Sequence, residues 1–155
     1  MKMTIPLLAL ATLLAAPVAA SARPVGLNVQ LKNYGGDGAY VVVYLAKAGQ
    51  YEGTLWMAGT RQKYYRHLRD WVAVTGGSGS EIDGITGASV GSGRSLTVTV
   101  DVADALIDAG YEVRIDTAVE NMRENPGEIV VPLTTDGAGL AIHGRGYVES
   151  FTYQF

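Results

Sequence analysis

Segments in which apolar and polar residues alternate recur along the chain after residue 22. A period of two is typical of β-strands with one buried face. Six short segments are strand-like, and they are residues 27–31, 39–46, 95–101, 111–116, 128–133 and 147–155. Residues 40–45 are apolar on both faces, which predicts a strand in the interior of a sheet. Turn residues separate the segments, so the pattern predicts a mostly β fold, an antiparallel β-sandwich.

One segment, residues 62–72, has the period of a helix instead. Its larger apolar side chains share one helical face, and they are Tyr64, Tyr65, Leu68, Trp71 and Val72. Its charged side chains project elsewhere. Thr60 is a suitable N-cap. We therefore expect one short amphipathic helix that packs on the sandwich and leads into the glycine-rich residues 76–93, with residues 76–82 and 91–93 as exposed connections.

Residues 1–22 have the composition of an export signal. Lys2 provides a positive start, residues 5–16 an apolar core, and Ala20-Ser21-Ala22 a small-residue cleavage site. We therefore expect cleavage after Ala22, a single β-sandwich domain over residues 23–155, and a periplasmic or secreted protein. No later segment is long and apolar enough for a transmembrane helix, so none is expected in the mature chain.

The composition narrows the range of functions. The chain has no cysteine, which excludes disulfides and thiolate metal sites. It carries 12 basic and 15 acidic residues, and this acidic balance argues against binding to nucleic acid. The histidines His67 and His143 are isolated in sequence, so no metal site is predicted. No serine lies in a nucleophile-elbow context, and no catalytic residue is predicted.

A short motif with two hydroxyl groups lies in the glycine-rich region. In Asp83-Gly84-Ile85-Thr86-Gly87-Ala88-Ser89, a carboxylate stands six positions and a hydroxyl three positions before the last hydroxyl. Glycines flank the motif on both sides, and glycine permits tight turns and the close approach of a second protein. The motif resembles the Asp-x-x-Ser/Thr-Gly-Ala-Thr/Ser sequence that periplasmic FAD:protein FMN transferases modify.

This resemblance implies that Ser89 is the attachment site of a covalent FMN, linked through its phosphate. The other residues of the implied acceptor motif are Asp83, Gly84, Thr86, Gly87 and Ala88. The small residues would leave room for the transferase, and Asp83 and Thr86 would orient the loop or contact that enzyme. Tyr65 or Trp71 would cover one face of the flavin by stacking.

Further segments, together with this motif, resemble the predicted periplasmic proteins grouped as domain of unknown function 2271. They are Leu55-Trp56, Lys63-Tyr64, Leu68, Trp71 and residues 108–115. This resemblance implies electron transfer outside the cytoplasm, with a flavin transferase and a PepSY-type membrane reductase as partners. Residues 108–115 are also similar to the immunoglobulin-like module of flagellar hook-capping proteins, which implies an immunoglobulin-like sandwich. The departure from the acceptor pattern is the serine at position 89, where threonine is commoner.

Two classes of function remain open from the sequence. The first is an exported flavin-carrying electron-transfer protein, a redox carrier more than an independent enzyme. The second is a cofactor-free immunoglobulin-like module that binds a periplasmic protein. The basic residues of the predicted helix region are Arg61, Lys63, Arg66 and Arg69. They fit a solvated helix face, and they also fit contact with a flavin phosphate or an acidic partner.

Overall fold

The computed structural model describes residues 20–155, and its two sheets enclose a common core, which confirms the predicted β-sandwich. Most of the predicted export signal lies outside the described residues. The strands are β1 (Ala22–Leu31), β2 (Tyr40–Lys47), β3 (Gln50–Ala58), β4 (Thr86–Gly87), β5 (Ser95–Ala103), β6 (Glu112–Ala118), β7 (Asn125–Pro132) and β8 (Val148–Gln154). The helical elements are the α-helix α1 (Arg69–Thr75) and the 3₁₀ helices η1 (Gln62–His67), η2 (Gly79–Ile82) and η3 (Asp104–Leu106).

The strands form one sheet of three and one of five. The smaller sheet has the order β5–β1–β8, and the larger has the order β4–β3–β2–β6–β7. Neighbouring strands are antiparallel except for β3 and β4, which are parallel. Alternate side chains of β1, including Val25, Leu27 and Val29, are fully buried between the sheets. The period of two in residues 27–31 therefore marks the core face, as predicted.

Strand β2 is buried on both of its faces. Val41 and Val43 point into the core between the sheets, whereas Val42 and Tyr44 belong to a second apolar cluster on the outer face of the larger sheet. The prediction of an interior strand over residues 39–46 is confirmed. Two apolar faces on one strand require a cover for the outer one, and η1, α1 and η2 provide it.

The cover over the larger sheet is held by buried aromatic and aliphatic side chains. The second cluster consists of Val42, Tyr44, Met57, Tyr65, Leu68, Trp71, Ile82 and Ala118. Trp71 and Tyr65 make an edge-to-face contact with ring centroids 5.9 Å apart. Of the predicted apolar face of residues 62–72, Tyr65, Leu68 and Trp71 pack on the sandwich and Val72 is partly buried against them, whereas Tyr64 lies outside this cluster.

That segment is not one continuous helix, and this part of the prediction is wrong. The 3₁₀ helix η1 ends at His67 and α1 begins at Arg69, because Leu68 has φ −88° and ψ 76°, outside the helical region. The predicted cap is also wrong. Arg61, rather than Thr60, precedes η1, and its side chain makes no capping hydrogen bond.

The N-terminus of α1 is capped by a side chain of strand β6. Asp116 of β6 accepts a hydrogen bond from the Trp71 amide at 2.8 Å and one from the Gly127 amide at 2.8 Å. Its side chain is fully buried, and this burial raises the pKa of the carboxyl although both amides favour the ionised form. Asp116 therefore joins the helical cover to the centre of the larger sheet, a role that sequence spacing does not indicate.

Two strands were not expected from the sequence. Strand β3 has no regular alternation, because its pairing with β2 shifts register at two places, between Val43 and Tyr44 and between Leu45 and Ala46. Strand β4 has only two residues and lies within the motif at residues 83–89. Strand β3 therefore holds the motif, through β4, at the edge of the larger sheet.

None of the helices within residues 20–155 is long and apolar enough to cross a bilayer. The longest one, α1, has seven residues. That length spans only a third of the roughly 20 apolar residues that a crossing helix needs.

Candidate functional site

The motif at residues 83–89, hereafter the acceptor segment, is tied to the sheet before its final residue. The Met57 amide donates to the Ile85 carbonyl at 2.9 Å, and the Gly59 amide donates to the Gly87 carbonyl at 2.8 Å. Thr86 Oγ1 also donates to the Ile82 carbonyl at 2.8 Å. The segment is therefore an edge strand on η2 and β3, and not the pliable loop that its glycines suggested.

The chain is tied down again immediately after Ser89. The amides and carbonyls of Ala39 and Val90 exchange two hydrogen bonds, of 2.7 and 2.9 Å. Val90 is buried, whereas Ala88 and Ser89 between the two attachments are exposed. Ser89 is thus presented on a short arch whose two ends are both hydrogen-bonded to the larger sheet.

Two glycines allow the close packing around this arch. A Cβ built on Gly87 would lie 2.9 Å from the indole of Trp56, and a Cβ built on Gly38 would lie 2.7 Å from Ser89 Oγ. Real Cβ atoms are essentially never that close to another heavy atom, so a larger residue at either position would displace its neighbour. Gly87 is therefore needed for packing on the sheet, and Gly38 leaves beside the Ser89 hydroxyl the room that a Cβ would fill.

The polar groups of the arch differ in how they are engaged. Ser89 Oγ and the Asp83 carboxylate make no hydrogen bond to any other residue in the described range 20–155, and both residues are exposed. Thr86, in contrast, is fixed by its bond to Ile82. Of the predicted acceptor residues, Thr86 and Gly87 shape the backbone, whereas Ser89 and Asp83 are accessible to a second protein.

Ser89 lies at the edge of a cleft of about 700 Å³. The cleft is lined by residues drawn from four segments, which are 37–40, 60–67, 87–89 and 118–124. These segments come from the start of β2, the η1 region, the acceptor segment and the turn between β6 and β7. A volume of this size is within the range of small-molecule and cofactor sites. We refer to it as the acceptor cleft.

One wall of the acceptor cleft is aromatic. Tyr40 and Tyr64 both line it, with ring centroids 5.4 Å apart. The Tyr40 ring packs directly on Gly59, where a Cβ would lie 2.1 Å from the ring and where φ is +120°, a backbone conformation that favours glycine. Tyr64 is held by a hydrogen bond of 3.1 Å to Glu120.

The predicted flavin contacts lie elsewhere. Trp71 is fully buried and Tyr65 is 4% exposed. Both pack beneath the helical cover, where Trp71 Nε1 donates to Thr54 Oγ1 at 2.8 Å and the Tyr65 hydroxyl donates to the Gly59 carbonyl at 3.0 Å. Neither ring lines the acceptor cleft, so the rings available there are those of Tyr40 and Tyr64.

A further part of the cleft lining comes from the turn between β6 and β7. Met122 lines the cleft and is 41% exposed, a large fraction for an apolar side chain. Its sulfur rests on the backbone of Gly36, where a Cβ would lie 2.6 Å from Sδ. The cleft lining therefore includes a polarisable thioether besides the two tyrosines.

The charged groups of the cleft fall into paired and unpaired sets. Glu124 accepts hydrogen bonds from His67, at 2.6 Å to Nδ1, and from Arg69. Arg61 and Arg66 also line the cleft, and within residues 20–155 neither forms an ion pair with a carboxylate. Glu120 accepts from Tyr64 and Asp37 is exposed. Two guanidinium groups are thus available to an anion in this cleft.

The His67–Glu124 contact gives a prediction on titration. The hydrogen bond from His67, assisted by the one from Arg69, lowers the pKa of Glu124 below its usual value. This group therefore contributes stability at pH values above its unfolded pKa of about 4.3, and loses that contribution as the pH falls through the folded pKa. His67→Ala should raise the pKa of Glu124 towards the usual value, as followed by carboxyl-carbon NMR.

Arg69→Gln is the matched variant and should raise the Glu124 pKa by less, since His67 makes the larger contribution. At neutral pH, the free energies of unfolding of His67→Ala and Arg69→Gln should differ by less than about 1 kcal/mol, because the side chains involved are partly exposed. A Glu124 titration unchanged by His67→Ala would show that the contact does not persist in solution.

Sequence reasoning found the acceptor segment but not its cleft. Tyr40, Arg61 and Met122 are far apart in the chain, and a single sequence contains no signal that they meet. A partial signal was available in Gly59 and Gly38, since a glycine next to a strand often marks a close approach of a side chain.

The two histidines do not form a common site. His143 bonds to the Glu149 carbonyl, whereas His67 bonds to Glu124. Residues 20–155 hold no cluster of three or more potential metal ligands.

Comparison with known proteins identifies the family. The family model described as Predicted periplasmic protein (DUF2271) matches residues 22–150, which is most of the chain. No curated protein and no solved structure matches the chain significantly. The match includes the larger sheet, strands β1 and β5 and the start of β8 in the smaller sheet, the helical cover and the whole of the acceptor cleft. The chain therefore belongs to the DUF2271 family and is a periplasmic protein.

Proposed function

We propose that this protein is a periplasmic electron carrier whose FMN is attached covalently to Ser89 by a FAD:protein FMN transferase. The observation that carries the proposal is the position of Ser89. Its hydroxyl is exposed, has no hydrogen-bond partner within residues 20–155, and stands at the edge of a cleft of about 700 Å³. A free hydroxyl beside a cleft of cofactor size suits a tethered ligand better than a purely structural loop.

The residues around Ser89 fit a flavin phosphate. Gly38 keeps clear the space that a Cβ would fill beside Oγ. Arg61 and Arg66 line the same cleft without carboxylate partners and are available to the phosphodiester charge. The bound flavin would supply one- or two-electron transfer, which the side chains of this chain do not provide themselves.

The proposed attachment reaction is a phosphoryl transfer and involves no change of oxidation state. Ser89 Oγ attacks the phosphorus on the flavin side of FAD, the phosphoanhydride bond breaks, and AMP leaves with the bridging oxygen. The hydroxyl proton passes to a base of the transferase, because a free serine hydroxyl is a weak nucleophile. The product is a phosphodiester between Ser89 and the ribityl chain of the flavin.

The remaining acceptor residues have distinct proposed roles. The backbone bonds of residues 85–87 and the Thr86 side chain hold the arch in place. Asp83 is exposed at the end of η2 and is available for contact with the transferase. Gly84 has φ +76°, a conformation that favours glycine, and it allows the turn from η2 into β4.

The electron partners follow from the same proposal. A tethered FMN in the periplasm needs a donor or acceptor at the membrane, and a PepSY-type membrane reductase is the partner class that the family resemblance implies. The competing proposal, a cofactor-free protein-binding module, needs no modification of Ser89. The presence or absence of covalent flavin on the chain therefore distinguishes the two proposed functions.

The test is co-expression with a periplasmic FAD:protein FMN transferase. We expect the intact mass of the exported chain to increase by one FMN less one water, with visible flavin absorbance that remains after denaturation. Proteolytic mapping should place the added mass on the peptide that contains Ser89. The chain produced without the transferase is the control and should remain colourless.

An unmodified chain would contradict the proposal, provided that an established acceptor protein is labelled in the same cells. In that case the cofactor-free module becomes the better account. Capture of binding proteins from the periplasm would then be the next measurement.

A further inference from the structure

Any group attached to Ser89 starts at the edge of the acceptor cleft. The arch that carries Ser89 is hydrogen-bonded at both ends, through Gly87 to Gly59 and through Val90 to Ala39. A fixed attachment point restricts the attached group to the nearby surface, and so gives it a high effective concentration there. The chemistry of the cleft walls then decides whether a flat aromatic ring stays inside or remains in solvent.

The walls of the cleft suit a flat aromatic ring. Tyr64 stands on one side, held by Glu120 at 3.1 Å and packed beside Tyr40. Met122 stands on the β6–β7 side, and it is 41% exposed although thioethers prefer apolar or aromatic neighbours. An exposed methionine and a fixed tyrosine in the lining of one cleft leave apolar surface that a bound ring would cover.

We infer that the isoalloxazine ring of the flavin on Ser89 is held in the acceptor cleft, in contact with Tyr64 and Met122. This inference rests on the proposed function and adds where the ring lies and which side chains touch it. The Tyr64 ring stacks on the flavin or meets it edge to face, and the Met122 thioether covers a further part of it. The ring is then sheltered from solvent at Met122 and remains within reach of an electron partner at the open mouth.

The lysine next to Tyr64 is compatible with this arrangement. Lys63 Nζ lies 4.7 Å from the centroid of the Tyr64 ring. It is an exposed side chain with four rotatable bonds, so it can move away when a ring approaches. The Tyr64 ring itself stays in place, because it packs beside Tyr40 and its hydroxyl donates to Glu120.

The experiment measures the emission of the tethered flavin in co-expressed protein, after intact mass has shown that each variant carries FMN. Contact with a tyrosine quenches flavin emission by electron transfer from the phenol. Tyr64→Ala should increase the emission yield several-fold, because the phenol that quenches the flavin is removed. Tyr64→Phe keeps the ring but removes the bond to Glu120, and the flavin should retain the high fluorescence anisotropy of a held ring.

Matched controls exist for both walls. Tyr111 also has a lysine over its ring, with Lys47 Nζ at 5.0 Å, but it lies at the opposite end of β6 from the cleft. Tyr111→Ala should leave the flavin emission unchanged. Met122→Ala should make the flavin several-fold more accessible to iodide, whereas Leu140→Ala, at a residue that is 58% exposed and outside the cleft, should not.

The outcomes separate this inference from the proposed function. Wild-type chain without covalent FMN overturns both. Flavin that is attached to Ser89, but whose emission and iodide accessibility do not respond to Tyr64→Ala or Met122→Ala, overturns only the placement of the ring. If Tyr64→Ala does not fold, Met122→Ala still decides, since the exposed Met122 side chain contributes little to stability.

Discussion

Replacement of Ser89 by alanine is expected to abolish covalent flavin attachment completely, because the substitution removes the one atom that forms the phosphoester bond. The fold should remain intact, since Ser89 is exposed and its hydroxyl has no partner within residues 20–155. A change of less than about 0.5 kcal/mol in the free energy of unfolding is expected for such a site. Intact mass and visible absorbance after co-expression with the transferase measure the loss.

Two further variants test the specificity of this result. Ser89→Thr keeps the nucleophilic oxygen and should be labelled. Ser92→Ala should also be labelled, although it removes a hydroxyl only three residues away. Ser92 Oγ donates to Asn33 at 3.2 Å and accepts from the Gly35 amide at 3.0 Å. The Ser92 hydroxyl therefore stabilises the turn at residues 33–35. Labelling that survives in Ser89→Ala would show that another hydroxyl is the acceptor.

Replacement of Trp71 by alanine should cause the largest loss of stability. Trp71 is fully buried, contacts Tyr65 edge to face, and donates from Nε1 to Thr54. Its removal leaves a cavity under the helical cover and takes one hydrogen bond from the Thr54 hydroxyl, which keeps its contact with the Tyr51 hydroxyl at 2.8 Å. We expect the free energy of unfolding to fall by about 3–5 kcal/mol, measured by urea denaturation of the chain without flavin.

Val74→Ala is the matched control, since Val74 lies in the same helix but is 44% exposed. It should change the free energy of unfolding by no more than about 0.5 kcal/mol. Trp71→Phe, which preserves most of the volume, should cost less than the alanine variant and should leave the emission of a tethered flavin unchanged. A marked change in flavin emission in Trp71→Phe would place the indole against the flavin and contradict its buried position.

The sequence pattern predicts the sandwich well where one face of a strand is buried regularly. Residues 27–31 alternate because every second side chain enters the core, and residues 40–45 are apolar because β2 is covered on both faces. Strand β3 is not predicted by the same pattern, because two register shifts against β2 interrupt its alternation of apolar and polar residues. The predicted helix is interrupted at Leu68 by a backbone conformation that the side-chain pattern does not reveal.

The candidate site is predictable only in part. The acceptor segment is a local motif, and residues 83–89 can be recognised from their order alone. The acceptor cleft is not local: Tyr40 enters from β2, Tyr64 from η1 and Met122 from the β6–β7 turn. Sequence periodicity places Tyr65 and Trp71 correctly on the apolar face of the helical segment. It does not show that this face is buried against the sheet, and so these two rings were suggested as flavin contacts although neither lines the acceptor cleft.

The attachment of the arch at both ends has a consequence for assembly. Gly59, Gly87, Ala39 and Val90 form their hydrogen bonds within the protein alone, without any contribution from a cofactor. The chain can therefore reach its final form before any cofactor is attached. A transferase acting on Ser89, as the proposed function requires, would meet a finished surface on which the backbone of the arch is already fixed, and its recognition would depend on the shape of that arch as well as on the seven-residue sequence.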